Sequence, residues 1–350
     1  MALILIDGDI LTYQIGFACQ KVYYSFNEHY YKSKKEAIAA FNELGMPNKK
    51  IRIVTVSGTE DQASLLLRQK IQSIFRDCGT TNYKMFITAS GKSNFRFLTA
   101  KFQPYKGNRR PEDKPRLYEA IRNLLVTEWK AEVVTGMEAD DMLGIQALSK
   151  TLRKEHGNPI IASIDKDLLM IPCLHYNMNS RDISSVSRDE ADRTFFLQCL
   201  SGDTVDNIPS LVELAAKYAA EGVSHYLRYN KYKTLASNFS KRHTVPALRQ
   251  YVFNQFRHAG IPDEVRDEVC TLLWILRNSG ETWYNWDQRL FGTYTYIEQE
   301  DDLCRKGMIG KLGLSQCLTT GVLSRTSEST DSTKQEDGDL TSLSQIKKSQ

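Results

Sequence analysis

The chain has 350 residues, 41% hydrophobic and 25% charged, with a net charge of +4. That is ordinary for a globular protein long enough to bury a sizeable core, either two domains or one α/β domain with insertions. No apolar run approaches the roughly 18 residues that span a bilayer. The first residues lack the basic start of a secretory signal, and seven cysteines without a C-x-x-C argue against a zinc site or a disulfide framework and suit a reducing cytosol.

Taken in order, Leu3–Ile6 and Ile51–Val56 read as strands ending in Asp-Gly and Ser-Gly turns. Gln62–Phe75 carries a helical apolar stripe, and Lys84–Thr88 is a further strand. Pro115–Leu125 predicts a helix entered through proline, Ala131–Val134 a strand, Glu138–Leu152 a helix, and Pro159–Ile164 an apolar strand without alternation. Unalternating strands separated by helices predict an α/β domain with a parallel sheet over residues 1–190. From 191 to 300 helical periodicity dominates, over Asp189–Ser201, Leu211–Tyr218, Thr244–His258 and Pro262–Arg277, which predicts a helical subdomain. Trp283-Tyr284-Asn285-Trp286 reads as core docking back. Residues 301–350 form a low-complexity tail, and the Ser/Thr-rich, aromatic-poor composition of 319–350 predicts disorder.

The carboxylates recur in pairs. Asp7 and Asp9 end the first strand, and Asp165 and Asp167 follow Pro159–Ile164. In open α/β sheets ligands bind beyond the carboxyl ends of the strands, so both pairs point to one crevice. Glu138-Ala139-Asp140-Asp141 opens a helix, and Asp203 and Asp206 stand three apart in Gly202-Asp203-Thr204-Val205-Asp206-Asn207. So many converging acids require cations, and all-oxygen ligation suits a pair of Mg²⁺ or Mn²⁺ ions able to clamp both oxygens of a phosphodiester displacement.

Residues 92–116 carry eight Lys or Arg against two acids, a local +6. Phe95, Phe97, Phe102 and Tyr105 are interleaved with them, a pattern suited to single-stranded nucleic acid.

With these residues in view the chain resembles the 5′→3′ exonuclease and flap endonuclease superfamily, most of all the bacteriophage 5′→3′ exonucleases. The resemblance is carried by LILIDGD (3–9), NFR (94–96), YKGNRRP (105–111), EADD (138–141), SIDKDLL (163–169) and SGDTVDNIP (201–209), in the family's order over about 210 residues. It implies a parallel-sheet nuclease core of the PIN/FEN type with an arch at about 92–125 and a helical DNA-binding module. By the same resemblance Asp7, Glu138, Asp140, Asp141 and Asp165 match ligands of one metal, and Asp167, Asp203 and Asp206 those on the other side. Lys106 would contact the scissile phosphate with help from Arg109 or Arg110, with Asp141 and Asp165 in the catalytic set. Tyr105 would stack on the terminal base, and Arg96 and Lys101 would join the DNA contacts. Asp9 is not a matched ligand.

Two departures stand out. Relatives often carry an Asp about seven residues before the arginine of the NFR-like motif, where Ala89 and Ser90 stand here, and the glycine-rich turn after DNIP is replaced by Ser210-Leu211-Val212-Glu213. The second leaves the helical module's duplex grip and K⁺ binding unsupported. The expected activity is divalent-metal-dependent removal of nucleotides from 5′ ends of duplex DNA, with 5′-flap or RNA–DNA-hybrid cleavage beside it. The expected setting is the cytoplasm of a bacterial host, in phage DNA replication or recombination. A non-catalytic nucleic-acid-binding protein with a degraded site is the alternative, and a small toxin-type RNase a third reading.

Overall fold

The computed structural model describes residues 1–26, 29–43, 51–110, 113–218 and 237–292, all within one compact unit, Met1–Tyr296. The tail expected at 301–350 lies outside the described residues. β1 (Ile4–Asp7) is the buried centre of a six-stranded sheet of order β6-β5-β1-β7-β8-β9. Its members are β5 (Tyr83–Thr88), β6 (Glu132–Val134), β7 (Ile160–Ser163), β8 (Leu174–Asn177) and β9 (Ile183–Ser185). All pairings are parallel except β8 with β9. The unalternating apolar runs of β1 and β7 follow from cover on both faces: helices α1 (Gly8–Ala18), α3 (Glu60–Cys78) and α5 (Tyr118–Thr127) pack one side. α6 (Ala139–Leu148) packs the other.

Three expectations need correction. Ile51–Val56 does not join this sheet. As β4 (Arg52–Ser57) it pairs antiparallel with β2 (Gln20–Phe26), which also pairs with β3 (His29–Tyr31), and Ile53 and Val56 remain exposed. A β-branched run looks the same in either sheet, because periodicity does not name a strand's partner. The helix expected over Glu138–Leu152 is two, since Ser149 turns out of the helical region and its Oγ accepts from Leu152 N, starting α7 (Lys150–His156). The helix expected from Pro115 begins at Tyr118, after a turn closed by Tyr118 N–H to Pro115 O.

From α8 (Arg188–Ser201) onward the chain is helical: α9 (Leu211–Tyr218) and helices at Val245–His258, Asp263–Leu273 and Trp283–Phe291. They enclose their own apolar core around Phe195, Phe196, Trp274 and Trp286, with Trp283 and Trp286 buried and Tyr284 exposed. The glycine-free stretch after Pro209 starts α9 through a reciprocal cap. Glu213 Oε2 accepts from Ser210 N and Oγ, and Ser210 Oγ from Glu213 N.

Candidate metal centre

The strand ends deliver the site. Gly8 lets the chain turn from β1 into α1 against β5: a Cβ there would lie 2.5 Å from Ile87 Cγ2 and 2.7 Å from Phe86 O. Asp7, the last residue of β1, caps α1, with Oδ1 accepting from Ile10 N (3.0 Å) and Oδ2 from Ser163 Oγ (2.7 Å). Ser163 ends β7 and also receives Asp165 N (3.0 Å), which couples the two acidic strand ends. Asp7, Asp9, Glu138, Asp140 and Asp165 line one cleft of about 600 Å³, together with Lys106, Arg109 and Arg110.

The cleft's electrostatics divide its acids. Burial, then Asp9 and Asp165, raise Asp7 to about 7. Asp140 is raised well above the usual carboxylate range by burial and then by Asp7, Asp165 and Glu138, and it makes no hydrogen bond or ion pair among the described residues. Burial also raises Asp165, and raises Asp167 to about 6. Glu138 goes the other way. Burial would raise it, but Lys106 and then Arg96 hold it below its ordinary value. Asp203 is likewise lowered against its burial, by the Asp206 N–H and by Lys166.

The remaining predicted ligands adjoin the cleft. Gln198 Nε2 on α8 lies 3.0 Å from Asp167 Oδ1 and 3.4 Å from Asp203 Oδ2, and Lys166 Nζ reaches the same two carboxylates at 2.9 and 3.5 Å. Asp203 Oδ1 accepts from Val205 N and Asp206 N, and its backbone pairs with Ile208, closing a tight loop. Gly202, at φ 62°, makes that closure possible, because a Cβ there would sit 2.5 Å from Ile208 O.

The basic segment is bolted to this loop. Lys106 N donates to Asp206 O (2.8 Å), Gln103 Nε2 to Asn207 O, Asn207 Nδ2 to Pro104 O and Asn108 Nδ2 to Thr204 O. Lys106 itself sits at φ 52°, a left-handed conformation costly for lysine, and its ammonium bonds Glu138 and lies 3.6 Å from Asp206. Arg109 Nη2 binds Asp206 Oδ1 at 2.5 Å.

Three predicted residues, Asp141, Arg96 and Tyr105, are enclosed in ways that deny the roles expected of them. Asp141 is wholly enclosed. Arg96 holds both its oxygens (2.6 and 2.9 Å), and Glu138 N and Leu276 N each donate a further bond at 3.0 Å. It is therefore an internal anchor, with no oxygen facing the cleft as a ligand or catalytic group. Arg96, 2% exposed, spends its other donors on Leu272 O and Trp274 O and cannot reach DNA. Tyr105 is 3% exposed and edge-on to Phe97, so its ring offers no face to a base. Its hydroxyl lies 2.7 Å from Asp206 Oδ2 and 3.0 Å from Glu138 Oε2 and donates its proton to either. Lys101 lines a separate groove with Phe102, Lys217 and Glu268. Phe97 and Phe102 pack against the helical core. Interleaved rings and cations thus read as a stacking surface while most of the rings serve as core.

Sequence reasoning also passed over residues. Lys166 stands between two acids in the SIDKD motif, a visible signal, whereas Ser163 and Gln198 act through folding alone. Asn94 lines the cleft, caps α4 (Phe95–Thr99) with Oδ1, and leaves its buried Nδ2 without a partner among the described residues.

Among the described residues no three carboxylates stand close enough to chelate one ion as placed. The donor set nevertheless fits hard divalent cations: it is all oxygen, drawn from two strand ends and a helix start, and it includes an Asp140 that makes no ion pair among the described residues. No helix among the described residues is long and apolar enough to cross a membrane.

No family model and no curated protein matches the chain. Among solved structures it is similar to a T5 protein co-crystallised with metal ions, at 16% identity and TM-score 0.39, covering 78% of this chain and 98% of that one. It is also similar to a bacteriophage T5 flap endonuclease variant in a pseudo-enzyme–product complex with DNA and metal ions (16%, TM-score 0.40, 78% and 99%). A T5 5′-exonuclease variant matches at 14%, TM-score 0.38, over 78% and 98%. At such values the likeness carries nothing about chemistry, and the cleft stands on its own residues.

Proposed function

We propose that the protein is a divalent-metal-dependent phosphodiester hydrolase acting at 5′ ends of duplex DNA, with 5′-flap or RNA–DNA-hybrid cleavage as companion activities. The observation that carries this reading is Asp140: a half-buried carboxylate without a partner, beside Asp7, Asp165 and Glu138, in a cleft rimmed by Lys106, Arg109 and Arg110. Asp7, Asp140, Asp165 and Glu138 would hold one Mg²⁺ or Mn²⁺, and Asp167, Asp203 and Asp206 a second. When bound, such ions lower the pKa of water and stabilise charge on the phosphoryl oxygens.

The chain supplies the rest. Lys106 and Arg109 present positive charge where the phosphate must lie, and release from Glu138 and Asp206 frees them for it. Arg110, exposed and 3.9 Å from Asp113, is available to the nucleic-acid backbone. The test is product mapping on 5′- and 3′-labelled duplex with and without Mg²⁺. Metal-dependent release of short 5′-labelled products is expected, and no cleavage with either Mg²⁺ or Mn²⁺ overturns the reading.

A second reading, a nucleic-acid-binding protein without catalysis, is favoured by the bare methyl of Ala89 in the cleft wall and by the spacing of the carboxylates. It predicts DNA binding with no cleavage in the same assay.

A further inference from the structure

Asp9 lines the cleft two residues from Asp7, yet both its oxygens are engaged. Oδ2 accepts from Thr88 N and Oδ1 from Arg122 Nη1, each at 3.0 Å. Arg122 Nη2 donates to Thr88 O at 2.6 Å, which closes a ring of three residues. Thr88 does one thing more: its Oγ1 accepts the backbone N–H of Ala139 at 2.9 Å. Ala139 lies between Glu138 and Asp140. Its N–H is one of the helix-start donors that α6 cannot satisfy internally.

We propose that Asp9, Thr88 and Arg122 form a clamp that positions the cleft carboxylates, with Thr88 as its hub and Asp9 as a positioning residue instead of a metal ligand. The proposal rests on the metal-dependent reading above. Three elements meet at Thr88: α1, whose N-cap is Asp7; α5, which carries Arg122; and α6, whose N-cap is Glu138 and whose first turn holds Asp140. The two peptide N–H groups that flank Glu138 are both held, by Thr88 Oγ1 at Ala139 N and by Asp141 Oδ2 at Glu138 N. Fixing both N–H groups fixes the backbone dihedrals that aim Glu138 and seats the first turn of the helix that carries Asp140, and ligand aim governs metal affinity. Asp9 is a poor ligand where it stands. The Arg122 guanidinium, itself 7% exposed, lies 3.0 Å from its oxygen, repels a second cation, and would be left buried and unpaired if Asp9 swung away.

The test compares Thr88→Val, which keeps shape but removes the acceptor, with Thr88→Ser, which keeps it. Mn²⁺ affinity is measured at 25 °C on DNA-free protein whose circular dichroism matches wild type, alongside the Mn²⁺ dependence of kcat. Thr88→Val should weaken Mn²⁺ binding by about 10–100-fold and Thr88→Ser by less than about threefold. Arg122→Lys, which keeps the charge but loses the second arm to Thr88 O, should fall between them and stands in if Thr88→Val does not fold. Wild-type affinity in Thr88→Val, or in Arg122→Lys in its place, overturns the clamp alone. A flat wild-type titration overturns the metal reading and the clamp together.

Discussion

Asp7 and Asp140, which both line the cleft, have no ion-pair partner among the described residues and are pushed toward protonation, Asp7 to about 7. Beside them Glu138 is held ionised by Lys106 and then Arg96, Asp203 is held so by the Asp206 N–H and then Lys166, and Arg109 pairs with Asp206. Residue type is the same in both groups, so the difference lies in which acids the chain neutralises with its own cations. Where it provides a lysine or arginine, the carboxylate keeps a fixed shape. Where it provides none, the charge is left for something from solution.

Breaking the uncompensated side should have the largest effect. Asp140→Asn is expected to lower Mg²⁺-dependent cleavage by on the order of 10³-fold or more while DNA affinity in a filter-binding assay stays near wild type. The same variant should melt higher than wild type without metal, since it removes a repelled charge.

Asp141→Asn sharpens the contrast from behind the cleft. It strips the countercharge from buried Arg96, so a loss of about 3–5 kcal/mol in urea unfolding is expected, opposite in sign to Asp140→Asn. Stability changes of opposite sign from adjacent acids would separate anchor from ligand; a stabilised Asp141→Asn would refute the anchor.

The pH dependence follows from Asp7. Its carboxyl takes up protons more readily in the folded chain than in the unfolded one, so the metal-free fold loses stability as pH rises from about 4 to about 7 and no more above that. Asp7→Asn should therefore melt above wild type at pH 8, with the gap shrinking as pH falls, and saturating Mn²⁺ should reverse the order. A pH-independent gap would count against the burial assigned to Asp7.

The smallest effect belongs to the compensated side. Lys166→Ala leaves Asp167 and Asp203 more negative and should lower the Mg²⁺ concentration for half-maximal cleavage by less than about tenfold, read from metal titrations of the initial rate. A raised requirement would mean Lys166 acts on the substrate.

Much of this was legible beforehand, because strand ends and helix starts announce themselves locally. Asp7 after an apolar run and Asp165 after Pro159–Ile164 point to one crevice from spacing alone, whereas Glu138 and Asp140 read only as the start of a helix. Long-range partnership was not legible. Nothing near Asp141 says that Arg96, 45 residues away, will occupy both its oxygens, and nothing near Asp9 points to Arg122, 113 residues on. The basic segment misled for a related reason: Tyr105 and Phe97 look available until the helical core that covers them is assembled. The small antiparallel sheet escaped because strand periodicity is silent about neighbours.

That sheet has one further consequence. The excursion that contains it leaves the core after Cys19 and returns at Gly58, whose N–H bonds Cys19 O at 2.6 Å. Departure and return points touch, so β2, β3 and β4 lie on a detour from the path of the core. A short glycine bridge across the gap would leave β1, α1 and α3 where they are, which makes this stretch a natural place to graft, trim or exchange sequence without disturbing the acids of the cleft.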